Sequence, residues 1–214
     1  SFIFLFFLGG TLWVSTRQKN LPLNISDGFI ITTMFWVVLA CAGSIPFYFF
    51  GLSIGDSIFE SVSGITTTGA TTIIGLDTLP KSILLYRQLL QWIGGMGLII
   101  LAVAVMPALG IGGGQLYKME LPGSHGNQKL TPKITDSAKA LWKIYVGLTV
   151  LCATLYLISG MGLFDSIAHS LSTVAGGGFS THDESIGFFD SGLIETVCIV
   201  FMLLSAASFA VHYA

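Results

Sequence analysis

The chain has 214 residues, of which 53% are hydrophobic and only 9% are charged, with a formal net charge of −2 and a mean hydropathy of +0.82. Soluble domains carry about 25% charged residues, so this composition excludes an ordinary water-soluble fold. We expect the lipid bilayer to be the solvent for most of the protein, and we expect no nucleic-acid partner.

Apolar stretches follow one another along the chain. The first belongs to the end of a spanning helix that exits at Arg17 and Lys19. Each later stretch is close to the roughly 20 residues that cross a bilayer, and these stretches are 29–50, 83–109, 138–158 and 193–214. We therefore divide the chain into the end of a preceding transmembrane helix (1–16), a first membrane-pore-membrane repeat (28–110), a cytoplasmic basic loop (111–136) and a truncated second repeat (137–214).

The charged residues sort to opposite sides of the predicted spans. If Arg17 and Lys19 are cytoplasmic, seven of the nine basic residues lie inside, as the positive-inside rule requires. The outer face then has only Lys81 and Arg87 against eight acids, a net charge of −6, and the acids are Asp56, Glu60, Asp77, Asp165, Asp183, Glu184, Asp190 and Glu195. We expect this acidic face to concentrate cations at the mouth of a pathway.

Two segments of the chain are copies of each other. At an offset of 109 residues, GLSIGDSIFESVSGITTTGATT (51–72) aligns with GMGLFDSIAHSLSTVAGGGFST (160–181), with eight of 22 positions identical. Because spans precede and follow both copies with the same inferred sidedness, the units are parallel. Parallel units count against the secondary transporters that are built from inverted repeats.

Each copy predicts a loop that enters the membrane and returns. Asp56-Ser57 and Asp165-Ser166 are candidate N-caps of short helices that are too polar and too short to cross a bilayer. Irregular backbone at membrane depth is tolerated only inside protein or along a water-filled cavity. A helix that enters from outside points its partly negative C-terminal end at the membrane centre, which favours a cation there.

Small residues follow each short helix. Glycine and small side chains allow successive carbonyls to turn toward one axis and replace an ion's hydration shell, as in the TVGYG loops of potassium channels. Thr-Thr-Gly at 67–69 and Gly-Gly-Gly at 176–178 stand where Thr-Val-Gly would, but neither is followed by Tyr-Gly. We therefore expect a shorter and less selective filter. Ordinary turns between helices are the alternative, which the repetition at equivalent positions disfavours.

Other chemistry has little support in the sequence. Asp165, Ser166 and His169 are too close on one helical turn to align as orienter, nucleophile and base, so we expect no enzyme. The glycines of 110–114 follow a span and lack the Lys-Ser/Thr of a phosphate-binding loop. Three classes stay open: a potassium-conducting protein, a sodium-permeable or other-solute secondary transporter, and a non-conducting assembly subunit.

Three segments carry a family resemblance. SGITTTGATT (63–72), YRQLLQWIGGMGLIILAVAVMP (86–107) and STVAGGGFST (172–181) closely resemble the Trk/Ktr/HKT superfamily of potassium transporters, and within it the bacterial TrkH family. The resemblance implies an all-α integral membrane fold, in which tandem parallel repeats of helix, re-entrant pore loop and helix surround a central ion pore. The chain would hold the first two of four repeats.

The resemblance also implies a function and partners. They are potassium uptake through a carbonyl-lined filter in the bacterial inner membrane, by a homodimer with a cytoplasmic nucleotide-binding regulatory subunit of the TrkA type. Gly69 and Gly178 correspond to the filter glycines. The implied potassium ligands are the carbonyls of Thr67, Thr68, Gly176 and Gly177, and the flanking residues are Thr66, Ala70, Ala175 and Phe179. No organic cofactor is implied.

Overall fold

The computed structural model describes residues 25–100 and 130–206. The helix end predicted at 1–16, most of the predicted basic loop and the last residues of the second repeat lie outside these ranges. Within them the structure is helical, and its elements are α1 (Ile25–Phe50), α2 (Ile54–Ile65), α3 (Lys81–Ile100), α4 (Leu130–Ile158), α5 (Leu163–Ala175) and α6 (Gly192–Ala206). Short 3-10 turns at Leu76–Thr78 and Ser185–Phe189 precede α3 and α6.

Two of the described helices are long and apolar enough to cross a membrane. Their windows are Thr33–Phe50 in α1 and Ala140–Ile158 in α4, with mean hydropathies of 1.7 and 1.8. Only 17% and 28% of these windows are buried, whereas the core helix of a soluble protein would be mostly buried. Large apolar side chains such as Phe49 and Ile158 are exposed on them, as on a surface solvated by lipid.

Each repeat consists of a long helix, a short pore helix and a returning helix. In the first repeat, the pore helix α2 packs between α1 and α3. In the second repeat, the pore helix α5 packs against α4 and α6 and, in addition, against α3 of the first repeat. Helix α3 therefore contacts both pore helices, which positions the two pore loops next to each other.

The pore helices begin earlier than the sequence predicted. Ser53 is the N-cap of α2, and its side chain accepts a hydrogen bond from the Asp56 backbone N–H at 3.1 Å. Gly162 is the N-cap of α5 and makes no side-chain cap. Asp56 and Asp165 are thus first-turn residues, so the prediction that they or the following serines are the caps was wrong. Their carboxylates still lie where a helix dipole favours negative charge.

Helix α4 also begins earlier than the predicted boundary of the second repeat. It begins at Leu130, so residues 130–136, which were assigned to the basic loop, are helical. Pro132 lies in its first turn, where a missing N–H removes no intrahelical hydrogen bond. The basic composition that suggested a loop is thus compatible, at 130–136, with the start of a helix.

Two adjacent glycines of α3 receive the C-terminal ends of both pore helices. A Cβ added to Gly94 would lie 2.0 Å from the carbonyl oxygen of Ile65, at the end of α2. A Cβ added to Gly95 would lie 2.8 Å from the Tyr145 hydroxyl and 3.2 Å from Cβ of Ala175, at the end of α5. These glycines allow close approach of the helices, because a side chain at either position would displace a pore helix.

Candidate ion pathway

The two segments predicted to form a filter have the same backbone conformation. Thr67 and Gly69 adopt left-handed φ values of 55° and 78°, and the equivalent Gly176 and Gly178 adopt 68° and 82°. The residues between them, Thr68 and Gly177, do not adopt the left-handed conformation. Reversing the sign of φ at every second residue turns successive carbonyls toward one side of a strand, whereas an ordinary extended strand alternates them.

The ends of the pore helices are also equivalent. In loop 1 (66–72), the N–H of Thr67 donates to the Gly64 carbonyl at 3.0 Å, and that of Thr68 donates to Ser63 at 2.9 Å. In loop 2 (175–181), Gly176 and Gly177 donate to the equivalent Thr173 and Ser172, both at 3.0 Å. Such bonds close a helix with a left-handed residue. Only loop 2 supplies glycine there, so Thr67 holds a conformation that costs a non-glycine residue roughly 1–2 kcal/mol.

The loops contact each other at the predicted filter glycines. A Cβ added to Gly69 would lie 1.8 Å from the Gly177 carbonyl oxygen and 3.0 Å from its carbon. The Gly177 carbonyl is therefore directed at loop 1, and position 69 has no room for a side chain. In contrast, apart from chain neighbours, no atom of the described residues lies within 4 Å of a Cβ added to Gly178 or to Gly176.

A buried ion pair supports loop 1. Glu60 of α2 is fully buried and pairs with the buried Arg87 of α3, with Nε 3.1 Å from Oε2. The other carboxylate oxygen accepts hydrogen bonds from the Thr71 hydroxyl and, at 2.8 Å, from the Thr72 N–H. The Thr71 hydroxyl in turn accepts from the N–H of Ile73 at 3.1 Å. Glu60 thus holds the end of loop 1.

A histidine at the equivalent position of the second repeat supports loop 2. His169 aligns with Glu60, is 1% exposed, and lies within hydrogen-bond distance of the Asp165 carbonyl (Nδ1, 2.9 Å) and the Ser180 hydroxyl (Nε2, 2.9 Å). Because a carbonyl only accepts, Nδ1 carries a proton and the hydroxyl donates to Nε2 of the neutral ring. The Ser180 hydroxyl accepts from the His182 N–H at 3.0 Å, as the Thr71 hydroxyl does from Ile73. His169 is therefore a hydrogen-bonded residue of the pore helix.

Helix α3 of the first repeat holds the exit of loop 2. Gln88 donates from Nε2 to the Phe179 carbonyl at 3.0 Å, and Gln91 accepts from the Phe179 N–H at 3.1 Å. Arg87 donates from a terminal nitrogen to the Ser180 carbonyl at 3.1 Å, and its guanidinium lies 4.2 Å from the centre of the Phe179 ring. Three backbone groups of loop 2 are therefore fixed by one face of α3.

The segments that follow the loops are joined on the side where the pore helices begin. Asp183 accepts hydrogen bonds from the N–H groups of Gly75 and Leu76 at 3.0 and 3.1 Å. Asp77 accepts from the Asp183 N–H at 3.3 Å and pairs with Nδ1 of His182, whose ring stacks on Phe188. The hydrogen bond from His182 lowers the pKa of Asp77 below its ordinary value.

The burial of Glu60 and Arg87 corrects the predicted outer surface. Both were assigned to the outer face, but both side chains are 0% exposed and paired with each other. Removing them leaves seven acids and one base, so the net charge assigned to that face is still −6. The acidic character persists without Glu60, and Arg87 belongs to the support of the loops.

Sequence reasoning missed Gln88 and Gln91 as functional residues, although it quoted the segment that contains them. Both are 0% exposed within α3. Two amides and an arginine in a helix expected to span a membrane are costly unless protein groups satisfy them, and that cost was the available signal. The sequence could not show that their partners belong to the other repeat.

Comparison with known proteins identifies the family. A model of the family described as "TrkH: Cation transport protein" matches residues 1–214. The chain belongs to the TrkH family. This membership confirms the family that the sequence resembles.

Members of the TrkH family match nearly the whole length of this chain in sequence. The Trk system potassium uptake protein TrkH of Vibrio parahaemolyticus is 52% identical over 217 residues, which cover 100% of this chain and 45% of that protein. The Escherichia coli K12 protein of the same name is 51% identical, covering 96% and 43%. The crystal structure of the potassium transporter TrkH from Vibrio parahaemolyticus matches with a TM-score of 0.86 and 50% identity, covering 100% and 43%. The chain thus spans less than half the length of these relatives.

Proposed function

We propose that the chain forms two of the repeats that surround the ion pathway of a potassium uptake protein. Potassium passes along loops 1 and 2, where the carbonyls of Thr67, Thr68, Gly176 and Gly177 replace part of its hydration shell. Gly69 and Gly178 complete the filter because each takes a left-handed conformation. The TrkH relatives are named potassium uptake proteins, which supports potassium as the transported ion.

The observation that carries the proposal is the matched backbone of the two loops. Left-handed residues at 67 and 69 and at 176 and 178 recur at the 109-residue offset, although the side chains differ. Ordinary turns would share neither the alternation of φ nor the position beyond the C-terminal end of a pore helix. Both helix ends direct partly negative carbonyls toward the loops, which favours a cation there.

The open flank of loop 1 supports a larger assembly. Phe179, Ser180 and Thr181 of loop 2 are buried, whereas the equivalent Ala70, Thr71 and Thr72 of loop 1 are exposed. In loop 2 this flank is covered by α3 of the preceding repeat. We propose that a returning helix of another repeat covers loop 1 in the whole protein, in keeping with a chain that spans under half of its relatives' length.

The proposed setting of the whole protein is the bacterial inner membrane. It acts there as a homodimer with a TrkA-like cytoplasmic nucleotide-binding subunit, which the family resemblance supports. Lys118 and Lys129, which lie outside the described residues, and Lys133, near the start of α4, are the basic residues proposed to contact that subunit. Reversing these three charges should weaken co-purification and regulation while leaving ion preference unchanged, and unchanged binding and regulation would contradict this partner.

The experiment that tests the function is tracer uptake by the full-length protein in proteoliposomes. Rubidium, as a substitute for potassium, should enter faster than sodium down equal gradients. The opposite preference would favour the sodium-permeable alternative. That alternative is motivated by the missing Tyr-Gly after each proposed filter segment, since a shorter filter is expected to be less selective. Accumulation of rubidium against its own gradient, driven by a second ion, would favour a coupled secondary transporter.

A further inference from the structure

A polar row on α3 has its partners in the other repeat. Arg87, Gln88 and Gln91 are all 0% exposed, on one face of a helix whose other buried residues include Leu84, Leu90 and Met96. Burying a polar side chain costs free energy unless its hydrogen bonds are satisfied. Apolar residues would pack α3 against α5 without that cost, so the row is not explained by helix packing alone.

In each of these three side chains, some polar atoms form hydrogen bonds with loop 2 or with Glu60 and another polar atom does not. One terminal nitrogen of Arg87, Oε1 of Gln88 and Nε2 of Gln91 are buried without a partner among the described residues. The engaged ends contact the backbone of Phe179 and Ser180, directly after the filter segment. Because Phe179 offers one donor and one acceptor, the two glutamines must present opposite ends of their amides to it.

Gln91 also limits the filter segment itself. A Cβ added to Gly177 would lie 2.4 Å from the amide carbon of Gln91 and 2.5 Å from its oxygen. The backbone of Gly177 therefore packs against the side-chain amide of Gln91, whose oxygen accepts a hydrogen bond from the Phe179 N–H. A change in Gln91 would alter both the position of Gly177 and the orientation of the following peptide.

We propose that Arg87, Gln88 and Gln91 are positioning residues for loop 2, so that a helix of the first repeat sets ion selectivity in the filter segment of the second. This role rests on the proposed function of the loops. Loop 1 differs, because its Ala70 carbonyl, equivalent to that of Phe179, accepts from Ser63 of its own pore helix at 2.6 Å. The proposed coupling therefore runs from α3 of the first repeat to loop 2 of the second.

The test uses Gln88→Met and Gln91→Met, made separately in the full-length protein. Methionine keeps the length of glutamine but removes its hydrogen bonds. Each variant should lower the ratio of rubidium to sodium uptake by about five-fold, the equivalent of one hydrogen bond. Both ratios equal to that of the parent protein would overturn the proposal.

A matched control removes a hydrogen bond between the same two repeats away from the loops. Thr149 of α4 accepts from the indole N–H of Trp92 on α3 at 3.1 Å, so Thr149→Val should leave the ratio unchanged. A ratio lowered as much by Thr149→Val would also overturn the proposal, because helix packing would then explain the effect. A parent protein without rubidium preference would overturn the proposed function and, with it, this role.

A second pair of variants decides the matter if the methionine variants do not assemble. Gln91→Glu keeps the oxygen that accepts from the Phe179 N–H, whereas Gln88→Glu replaces the donor to the Phe179 carbonyl with a carboxylate. The same chemical change should therefore lower the uptake ratio at position 88 much more than at position 91. Equal ratios for the two variants would contradict the assignment of their contacts.

Discussion

Loops 1 and 2 have one backbone conformation and two kinds of support. Both place left-handed residues at equivalent positions, and both anchor a hydroxyl, of Thr71 or Ser180, on the same pore-helix position. Behind loop 1 that position is a carboxylate paired with Arg87, and behind loop 2 it is the neutral imidazole of His169. The shared feature is thus the geometry of the backbone, while the supporting chemistry differs between repeats.

The comparison of the two loops indicates that the backbone conformation is a strict requirement, whereas the side chain that supports it can vary. Carbonyls must face one axis, which fixes φ at two positions of each loop. The residue that braces the loop needs only to accept a hydrogen bond from a hydroxyl, and either a carboxylate or an imidazole can do so. Chemistry that differs between the repeats therefore predicts different sensitivity of the loops to substitution.

The largest effect should come from breaking the Glu60–Arg87 ion pair that supports loop 1. Arg87→Gln leaves Glu60 buried without its counter-charge, and breaking a buried ion pair costs about 3–5 kcal/mol. We expect a large loss of thermal stability, measured as the melting midpoint of the purified full-length protein in detergent. The double variant Glu60→Gln/Arg87→Gln should recover much of this loss because no charge is then unpaired. A double variant no more stable than Arg87→Gln would contradict the ion-pair account.

The two proposed filter glycines should differ next, although they occupy equivalent positions in the repeats. A Cβ at Gly69 collides with the Gly177 backbone, whereas a Cβ at Gly178 meets no atom within 4 Å among the described residues beyond its chain neighbours, and its main cost is the left-handed φ. The conformational cost is roughly 1–2 kcal/mol. Gly69→Ser should therefore nearly abolish rubidium uptake, while Gly178→Ser should keep uptake with a lower ratio of rubidium to sodium.

A control for these variants should remove a charge from the acidic face without breaking a contact. Asp183→Asn is unsuitable, because Asp183 accepts hydrogen bonds from the Gly75 and Leu76 N–H groups. Glu184 is exposed and makes no side-chain cap, so Glu184→Gln is the better control. It should reduce uptake at low salt and leave the ratio unchanged. Equal loss of uptake in Gly69→Ser and Gly178→Ser would mean that the contact with Gly177 is unimportant.

The sequence was sufficient for the class of fold and for the position of the loops. Apolar lengths predicted the helices, and the repeat at offset 109 predicted that Thr67 and Gly176 are equivalent, as their φ values bear out. Periodicity and composition report such local features because they depend on neighbours in the chain. The potassium ligands stay predictions that uptake measurements must test.

Contacts between the repeats could not be predicted from the sequence. Arg87 was placed among the outer charges because a charged residue near a helix end is usually solvated, yet it lies buried between Glu60 and Ser180. Its partners are 27 and 93 residues away along the chain. A single sequence gives no information on which distant residue supplies a counter-charge, so the bracing of loop 2 by α3 required the structure.

Replacing the histidine brace should have a smaller effect than breaking the ion pair. His169→Gln keeps an oxygen that can accept from the Ser180 hydroxyl but loses the hydrogen bond to the Asp165 carbonyl. We expect a cost of about 1 kcal/mol, the typical value of one hydrogen bond. A melting midpoint lowered as far as in Arg87→Gln would show that loop 2 depends on its brace as strongly as loop 1.

The smallest effect should come from the link between the segments that follow the two loops. Asp77 has a lowered pKa in the folded protein because it accepts a hydrogen bond from His182. A carboxyl group with a lowered pKa stabilises the fold above its unfolded pKa, near 3.9, and the stabilisation is lost as pH falls through the folded pKa. Asp77→Asn should therefore lower the melting midpoint slightly at pH 7, and the difference from the parent should vanish under strong acid. A difference that persists there would mean that the charge of Asp77 is not what holds the two segments together.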